Sequence, residues 1–303
     1  MIDILVIGSG PAGYASAIYG ARAGFSVTQI TGSYEGGQLI TTSAIENYPG
    51  FAEPISGMQL MNQMKQQTER LGVNIVNDVI SKVDFSQHPF VCSGESSRMY
   101  FARSVIIATG ANAKWLGLES ESKYKNRGIS SCATCDGFFF RYKTVAVVGG
   151  GNTAAEDALY LTNFASKVYL IHRRDSLRAE KILQDRLFKN EKIEVLWNTK
   201  VDEIIGNDQC ITSLKLSVNG ESKEIAVSGL FVAIGHAPAT EVFKGYVKTD
   251  EYGYIIVDGT KTSVEGVFAA GDCCDPTYRQ AITSAGQGCK AAVDAGRFLS
   301  MER

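Results

Sequence analysis

The sequence predicts an α/β fold made of two copies of one nucleotide-binding plan, with the second copy inserted into the first. Three observations predict it. Gly8-Ser9-Gly10-Pro11-Ala12-Gly13 and Gly149-Gly150-Gly151-Asn152-Thr153-Ala154 each follow a short apolar run and open a stretch with helical spacing. The run from Val105 to Gly110 is echoed by Gly229 to Gly235, and both end in glycine. The chain is 303 residues long, with 31 Gly, 6 Pro and 45% apolar residues. That is too long for one typical core and suits many tight turns between strands and helices. Such a pattern reads as two Rossmann-like dinucleotide-binding domains.

Taken in order, residues 2–7 are apolar without alternation, as expected of a parallel strand buried on both faces. The first fingerprint follows at once. A helix is expected from Tyr14 to Gly24 and a second strand from Ser26 to Ile30. In such a βαβ unit the first glycine makes the turn. The second lets a pyrophosphate approach the backbone, and the third packs helix on strand. The second strand ordinarily ends in an acid that binds a ribose. Here it ends in Ile30-Thr31-Gly32-Ser33, with Glu35 only later. Residues 36–50, including Gly36-Gly37-Gln38-Leu39 and Asn47, form a polar loop that either lines a cofactor or lies on the surface. An amphipathic helix over 58–71 comes next. Short strands are expected over 73–76, 82–85, 90–92 and 99–101, and a buried strand over 104–110.

The pattern then restarts with a strand over 144–148, the second fingerprint, a helix over 155–164 and a strand over 167–171. His172 stands as far after Gly149 as Thr31 does after Gly8. The first unit is neutral at this position, whereas the second reads His172-Arg173-Arg174-Asp175 with Arg178 close behind. A guanidinium fork matches a phosphate monoester that an acid would repel, so the second site is expected to prefer NADP over NAD. Further strands fill 193–228. Residues 266–272 give one more buried strand, and a helix over about 280–299 returns to the first domain.

Between the two fingerprints lies Ser131-Cys132-Ala133-Thr134-Cys135-Asp136-Gly137. Two residues between cysteines let the sulfurs close a small reversible disulfide that takes up two electrons. Asp136 reads either as a proton donor and acceptor for these thiols or as a helix cap. The seven cysteines are irregularly spaced, unlike a secreted disulfide framework. In a reducing cytosol such a pair is catalytic or metal-binding. A zinc site needs four ligands, and no second pair of this spacing exists, so no metal is expected. Cys273-Cys274, Cys92, Cys210 and Cys289 are expected to be small buried packing residues. Lys+Arg 30 against Asp+Glu 32 gives a formal charge of −2, which excludes a polyanion-binding protein. The N-terminus lacks a basic segment and cleavage site, and no apolar run approaches the ~18 residues of a membrane helix. A soluble cytoplasmic protein is expected, with neither nucleic acid nor membrane as partner.

These motifs together resemble the low-molecular-weight, bacterial-type thioredoxin reductases over essentially the whole chain. The resemblance rests on Gly8 to Gly13, Gly36 to Leu39, Cys132 to Gly137, Gly149 to Ala154, His172 to Arg174 with Arg178, and Gly271-Asp272 with Tyr278 to Ala281. It implies the three-layer FAD/NAD(P)-binding fold of the class II pyridine nucleotide-disulfide oxidoreductases. An FAD domain of residues 1–114 and 241–303 would enclose an NADPH domain of 115–240. FAD would lie on Gly8, Ser9, Gly10, Pro11, Ala12 and Gly13, bordered by Thr31, Gly32, Gly36, Gly37, Gln38, Leu39 and Asn47. Thr109, Gly110 and Gly271 would also contact FAD, Asp272 would bond its ribityl chain, and Arg279, Gln280 and Ala281 would lie by the isoalloxazine ring. NADPH would fall to Gly149, Gly151, Asn152, Thr153, His172, Arg173, Arg174, Arg178, Ile234 and Gly235. The resemblance further implies a homodimer with one FAD per subunit. Electrons would pass from NADPH through FAD to Cys132–Cys135 and on to thioredoxin. Cys135 would be nearer the flavin, Cys132 would attack the partner, and Asp136 would serve the thiols. Crossovers near 112–118 and 238–244 would let one domain rotate. The ferredoxin–NADP reductases of this fold lack the dithiol. A dithiol reductase for another small redox protein and a non-catalytic FAD-binding module are the readings that compete.

Overall fold

A computed structural model describes residues 1–42 and 44–301. The chain divides into two compact units, residues 1–112 with 236–303, and residues 113–235. In the first, the strands Asn74–Val76, Val27–Ile30, Ile2–Ile7, Met99–Ile107 and Val267–Ala269 lie side by side in that order, all parallel. Met99–Ile107 is long enough to serve two neighbours. Its second half pairs with Val267–Ala269 and its first half with the antiparallel strand Phe90–Gly94, beyond which lies Ile80–Asp84.

Ile2–Ile7 shows why its sequence lacks alternation. Leu5 and Ile7 point into a core shared with Val83, Phe85, Phe90 and Phe243. Ile4 and Val6 point to the other face, into a core shared with the helices Pro11–Arg22 and Ala281–Met301. A strand with a core on each side has no wet face to mark in sequence. The two helices lie against each other because small residues let them: a methyl group on Gly288 would overlap the Ala12 carbonyl oxygen. Ser16 Oγ donates across the contact to the Gly288 carbonyl at 3.0 Å.

The second unit repeats these layers. Its parallel sheet runs Ile193–Leu196, Lys167–Ile171, Thr144–Gly149, Gly229–Ala233 and Ile129–Ser130. Val145 and Val147 face the helix Asn152–Leu161. Ala146 faces a meander of Thr199–Gly206, Ile211–Val218 and Glu221–Ala226 through Val201, Leu214 and Leu216. The outermost strand differs in origin. In the first unit it comes from near the chain's end, and in the second from ahead of the fingerprint. In both, the chain leaves the fingerprint strand for the neighbour on one side and reaches the neighbour on the other side only later, which opens a ligand crevice at the strands' carboxyl ends.

Several local expectations shift. The strand expected in two parts over 99–101 and 104–110 is one strand, Met99–Ile107. The helices expected from Tyr14 and Ala155 begin at Pro11 and Asn152, so each fingerprint supplies its helix's first turn. A helix at Lys181–Phe188 was not foreseen. The helix Gly57–Arg70 starts on a capping box, with Ser56 and Gln59 each bonding the other's backbone N–H. In the 36–50 loop, Gly37–Thr41 forms a 3-10 turn, and Ser43 lies outside the described residues. Among the described residues no helix is long and apolar enough to cross a membrane.

Candidate active site

The first unit gathers residues from four distant stretches of sequence around the carboxyl end of Ile2–Ile7. Gly8 has φ +123°, open to glycine but strained for other residues. A methyl group there would overlap the Ala108 carbonyl oxygen, and one on Gly13 would overlap the Gly8 carbonyl oxygen. Turn, helix and neighbouring strand are therefore in backbone contact. At Gly10 the situation reverses: a methyl group would meet nothing within 4 Å. Gly10 caps the helix Pro11–Arg22 without a side-chain bond. The first helical N–H groups, positive end of the helix dipole, thus face open space, which suits a pyrophosphate.

The rim of this loop is tied from within. Ser9 Oγ donates to the Thr31 carbonyl at 2.7 Å and accepts from the Gly36 N–H at 3.0 Å, fixing both ends of the 31–36 segment. Gln38 Nε2 donates to the Ala111 carbonyl at 2.9 Å. Asn47 Nδ2 donates to Gln280 Oε1 at 3.2 Å, which joins two predicted site residues that are far apart in sequence. Thr109 Oγ1 donates to the Ala239 carbonyl at 2.7 Å.

Gly271 packs against Ala12, and its N–H donates to Gln287 Oε1 at 2.7 Å. Asp272 Oδ1 accepts from Ser284 Oγ at 2.9 Å. Burial pushes the Asp272 carboxyl above its ordinary range and Asp275 adds to this, while the Ser284 bond and Arg279 oppose it. Arg279 sits at φ +47° and reaches His236 Nδ1 through its guanidinium. Ser284, Gln287 and His236 were missed by sequence reading because each acts on a predicted site residue rather than standing in a motif.

The second unit builds the same loop with a different rim. A methyl group on Gly149 would overlap the Ala233 carbonyl oxygen, just as Gly8 meets Ala108. Gly151 is as open as Gly10, and likewise caps its helix without a side-chain bond. His172 is buried rather than part of a basic surface. Its Nδ1 faces the Gly149 carbonyl oxygen and its Nε2 the Ser176 carbonyl oxygen, each at 2.9 Å. The ring fills the space where Gly150 would carry a side chain. Leu177 and Ala179 are buried, and the Arg178 N–H donates to the Gly150 carbonyl at 2.7 Å. The three guanidiniums of Arg173, Arg174 and Arg178 are left exposed beside the loop. Asn152 is occupied internally, accepting from the Glu180 N–H at 2.8 Å.

Cys132 and Cys135 of the second unit form a disulfide, half-buried at the start of a short helix, Ala133–Asp136. Cys132 N–H donates to Ser130 Oγ at 3.0 Å, and Thr134 Oγ1 lies 3.3 Å from Cys132 Sγ. Burial pushes the Asp136 carboxyl up, against a bond from Ser130. The other cysteines lie elsewhere. Cys92 and Cys273 are buried, Cys274 and Cys289 half-buried. Cys210 is exposed, contrary to expectation, because it closes the turn in which Asn207 Oδ1 accepts from its N–H at 2.9 Å. The thiols of Cys273 and Cys274 donate to backbone carbonyls, Ala270 and Gly271, at 3.3 Å each.

Two dinucleotide loops and a disulfide in one chain suit pyridine-nucleotide redox chemistry, and residues 2–288 match the family model described as pyridine nucleotide-disulphide oxidoreductase. The chain belongs to this family. This oxidoreductase is 54% identical to a thioredoxin reductase of Rickettsia conorii over 98% of each chain. The solved structure of a thioredoxin reductase from Streptococcus pyogenes is 41% identical over 99% of each chain, with a TM-score of 0.94. A protein of Pseudomonas fluorescens named glucosaminate ammonia-lyase is 49% identical, covering 98% of this chain and 95% of its own. Family membership brings a flavin and a nicotinamide nucleotide as cofactors. The open, uncapped helix starts at Gly10 and Gly151 fit the phosphates of both.

Proposed function

We propose that this oxidoreductase is an NADPH-dependent thioredoxin-disulfide reductase, with FAD in its first unit and NADPH in its second. The observation that carries this reading is the Cys132–Cys135 disulfide in a chain whose two nucleotide loops differ in charge. A flavin bound at the first loop supplies two-electron transfer between a nicotinamide and a disulfide.

The chain's own residues do the rest. The helix starts at Gly10 and Gly151 bind pyrophosphates. Asp272, steadied by Ser284, stands ready for a ribityl hydroxyl. Arg173, Arg174 and Arg178 supply charged donors for a 2′-phosphate, which the neutral Thr31-Gly32 segment cannot. Two electrons and two protons turn the Cys132–Cys135 disulfide into a dithiol. The Cys132 thiolate then attacks the thioredoxin disulfide, forming a mixed disulfide as the leaving sulfur takes up a proton. Cys135 attacks Cys132, the second thioredoxin thiol is released, and the original disulfide is restored. NADPH and one proton are consumed for each disulfide reduced. Asp136, whose carboxyl burial pushes above its ordinary range, passes protons to and from these sulfurs. A homodimer in the cytoplasm belongs to the same proposal.

The alternative offered by the ammonia-lyase relative is an elimination that moves no electrons through a disulfide. The test is turnover with NADPH, oxidised thioredoxin and insulin, beside ammonia release from glucosaminate. Thioredoxin-dependent NADPH consumption that disappears in Cys132→Ser supports the reductase. Ammonia release without NADPH consumption overturns it.

A further inference from the structure

Two polar side chains, Thr28 and Gln29, sit in the all-buried strand Val27–Ile30 of the first unit, and Gln29 carries the strand's one side-chain amide. Gln29 is fully buried. Its Nε2 donates to the Gly8 carbonyl at 2.9 Å, while its Oε1 has no hydrogen-bond partner among the described residues. A buried amide oxygen left unpaired works against folding, and an apolar residue of similar size would avoid that cost but leave the Gly8 carbonyl without this donor. The second unit shows that an apolar residue fits there. Leu170 stands where Gln29 would, two residues ahead of His172 as Gln29 is ahead of Thr31, and it is fully buried.

The second unit nevertheless holds the same carbonyl by other means, since His172 Nδ1 faces the Gly149 carbonyl oxygen at 2.9 Å. The first glycine's carbonyl is thus held in both loops by unrelated side chains, one within the second strand and one just past its end. The consequence follows from peptide geometry. In a planar trans peptide the C=O and the next N–H point in opposite directions. Holding the Gly8 carbonyl inward turns the Ser9 N–H outward, toward the open side at Gly10. The Gly8 N–H is already held by the Ile30 carbonyl at 2.8 Å, so strand and side chain together fix both peptides of the most permissive residue in the loop.

We propose that Gln29 is a positioning residue for FAD, a latch that pre-orients the Gly8–Ser9 peptide for the pyrophosphate, and that it is kept at some expense to the fold. This rests on FAD occupying the first unit. The test compares Gln29→Leu and Gln29→Met with the unchanged protein. FAD affinity is measured by reconstituting deflavinated protein and following flavin fluorescence. The melting temperature of each deflavinated protein and its NADP⁺ affinity are measured in parallel.

Losing one buried hydrogen bond that serves binding predicts about tenfold weaker FAD binding. Melting temperature should change little, because each variant removes the unpaired Oε1 but leaves the Gly8 carbonyl without this donor, and NADP⁺ affinity should be unchanged. FAD affinity equal to that of the unchanged protein overturns the latch. A fall in melting temperature that accompanies weaker binding in both variants also overturns it, because Gln29 would then serve the fold generally. If the unchanged protein takes up no FAD, the flavin assignment fails instead.

Discussion

The two nucleotide loops share a backbone and differ at one strand end. In both, the first glycine touches the backbone at Ala108 or Ala233, at the end of the neighbouring strand, and the second faces open space. After the second strand, the first unit turns through Thr31 and Gly32 and is tied back by Ser9 to Gly36. The second unit buries His172 and pins Leu177 and Ala179, so that Arg173, Arg174 and Arg178 stand free beside the loop. On the proposed function, the shared part holds the dinucleotide pyrophosphate in each unit. The same proposal leaves the choice of nucleotide to a handful of residues beyond it, and the Cys132–Cys135 disulfide lies in the second unit.

The largest effect expected on this division is from Cys135→Ser. Thioredoxin turnover should fall to background while the protein stays yellow and is still bleached by NADPH. Loss of the flavin as well would mean that the two units do not divide the work. Asp136→Asn should slow turnover by about a hundredfold, the lower end for a general acid–base group. Because burial raises this carboxyl, the protonated fraction falls as pH climbs through the raised value. The alkaline decline in the rate of the step that needs the acid should therefore flatten in the variant. An unchanged pH profile would return Asp136 to a structural role.

Smaller effects sharpen the comparison between the loops. Each of Arg173→Ala, Arg174→Ala and Arg178→Ala that removes a phosphate contact should raise the NADPH KM by about tenfold or more, and leave the NADH KM unchanged. Equal losses for both nucleotides would remove the 2′-phosphate assignment. Gly10→Ala should weaken FAD and spare NADPH, and Gly151→Ala the reverse. Neither should lower the melting temperature of the nucleotide-free protein, since a methyl group at either place meets no protein atom within 4 Å. Cys274→Ser should change turnover by less than about twofold, because its thiol is already committed to the Gly271 carbonyl.

Reading the sequence found the framework because a buried parallel strand running into a glycine turn is a strong local pattern. It split Met99–Ile107 for a physical reason. The first half alternates between buried and exposed, beside the antiparallel strand, whereas the second half is buried on both faces of the parallel sheet. One strand in two surroundings carries two patterns. Lys181–Phe188 escaped because Leu187 is its only buried residue, too little to show a period. The arginines were legible from their spacing, but the burial of His172 was not, since a histidine's hydrogen-bond partners depend on where two loops meet. Gln29 left a trace that could have been used, the one amide in a short strand buried along its whole length.

The division of labour is tested most directly by counting electrons. Anaerobic titration with NADPH, followed by flavin absorbance and thiol content, should consume about two NADPH per chain, one for the flavin and one for the disulfide. In Cys135→Ser the count should drop to about one, with full bleaching. A count of about one in the unchanged protein, with Cys132–Cys135 still oxidised, would contradict the account.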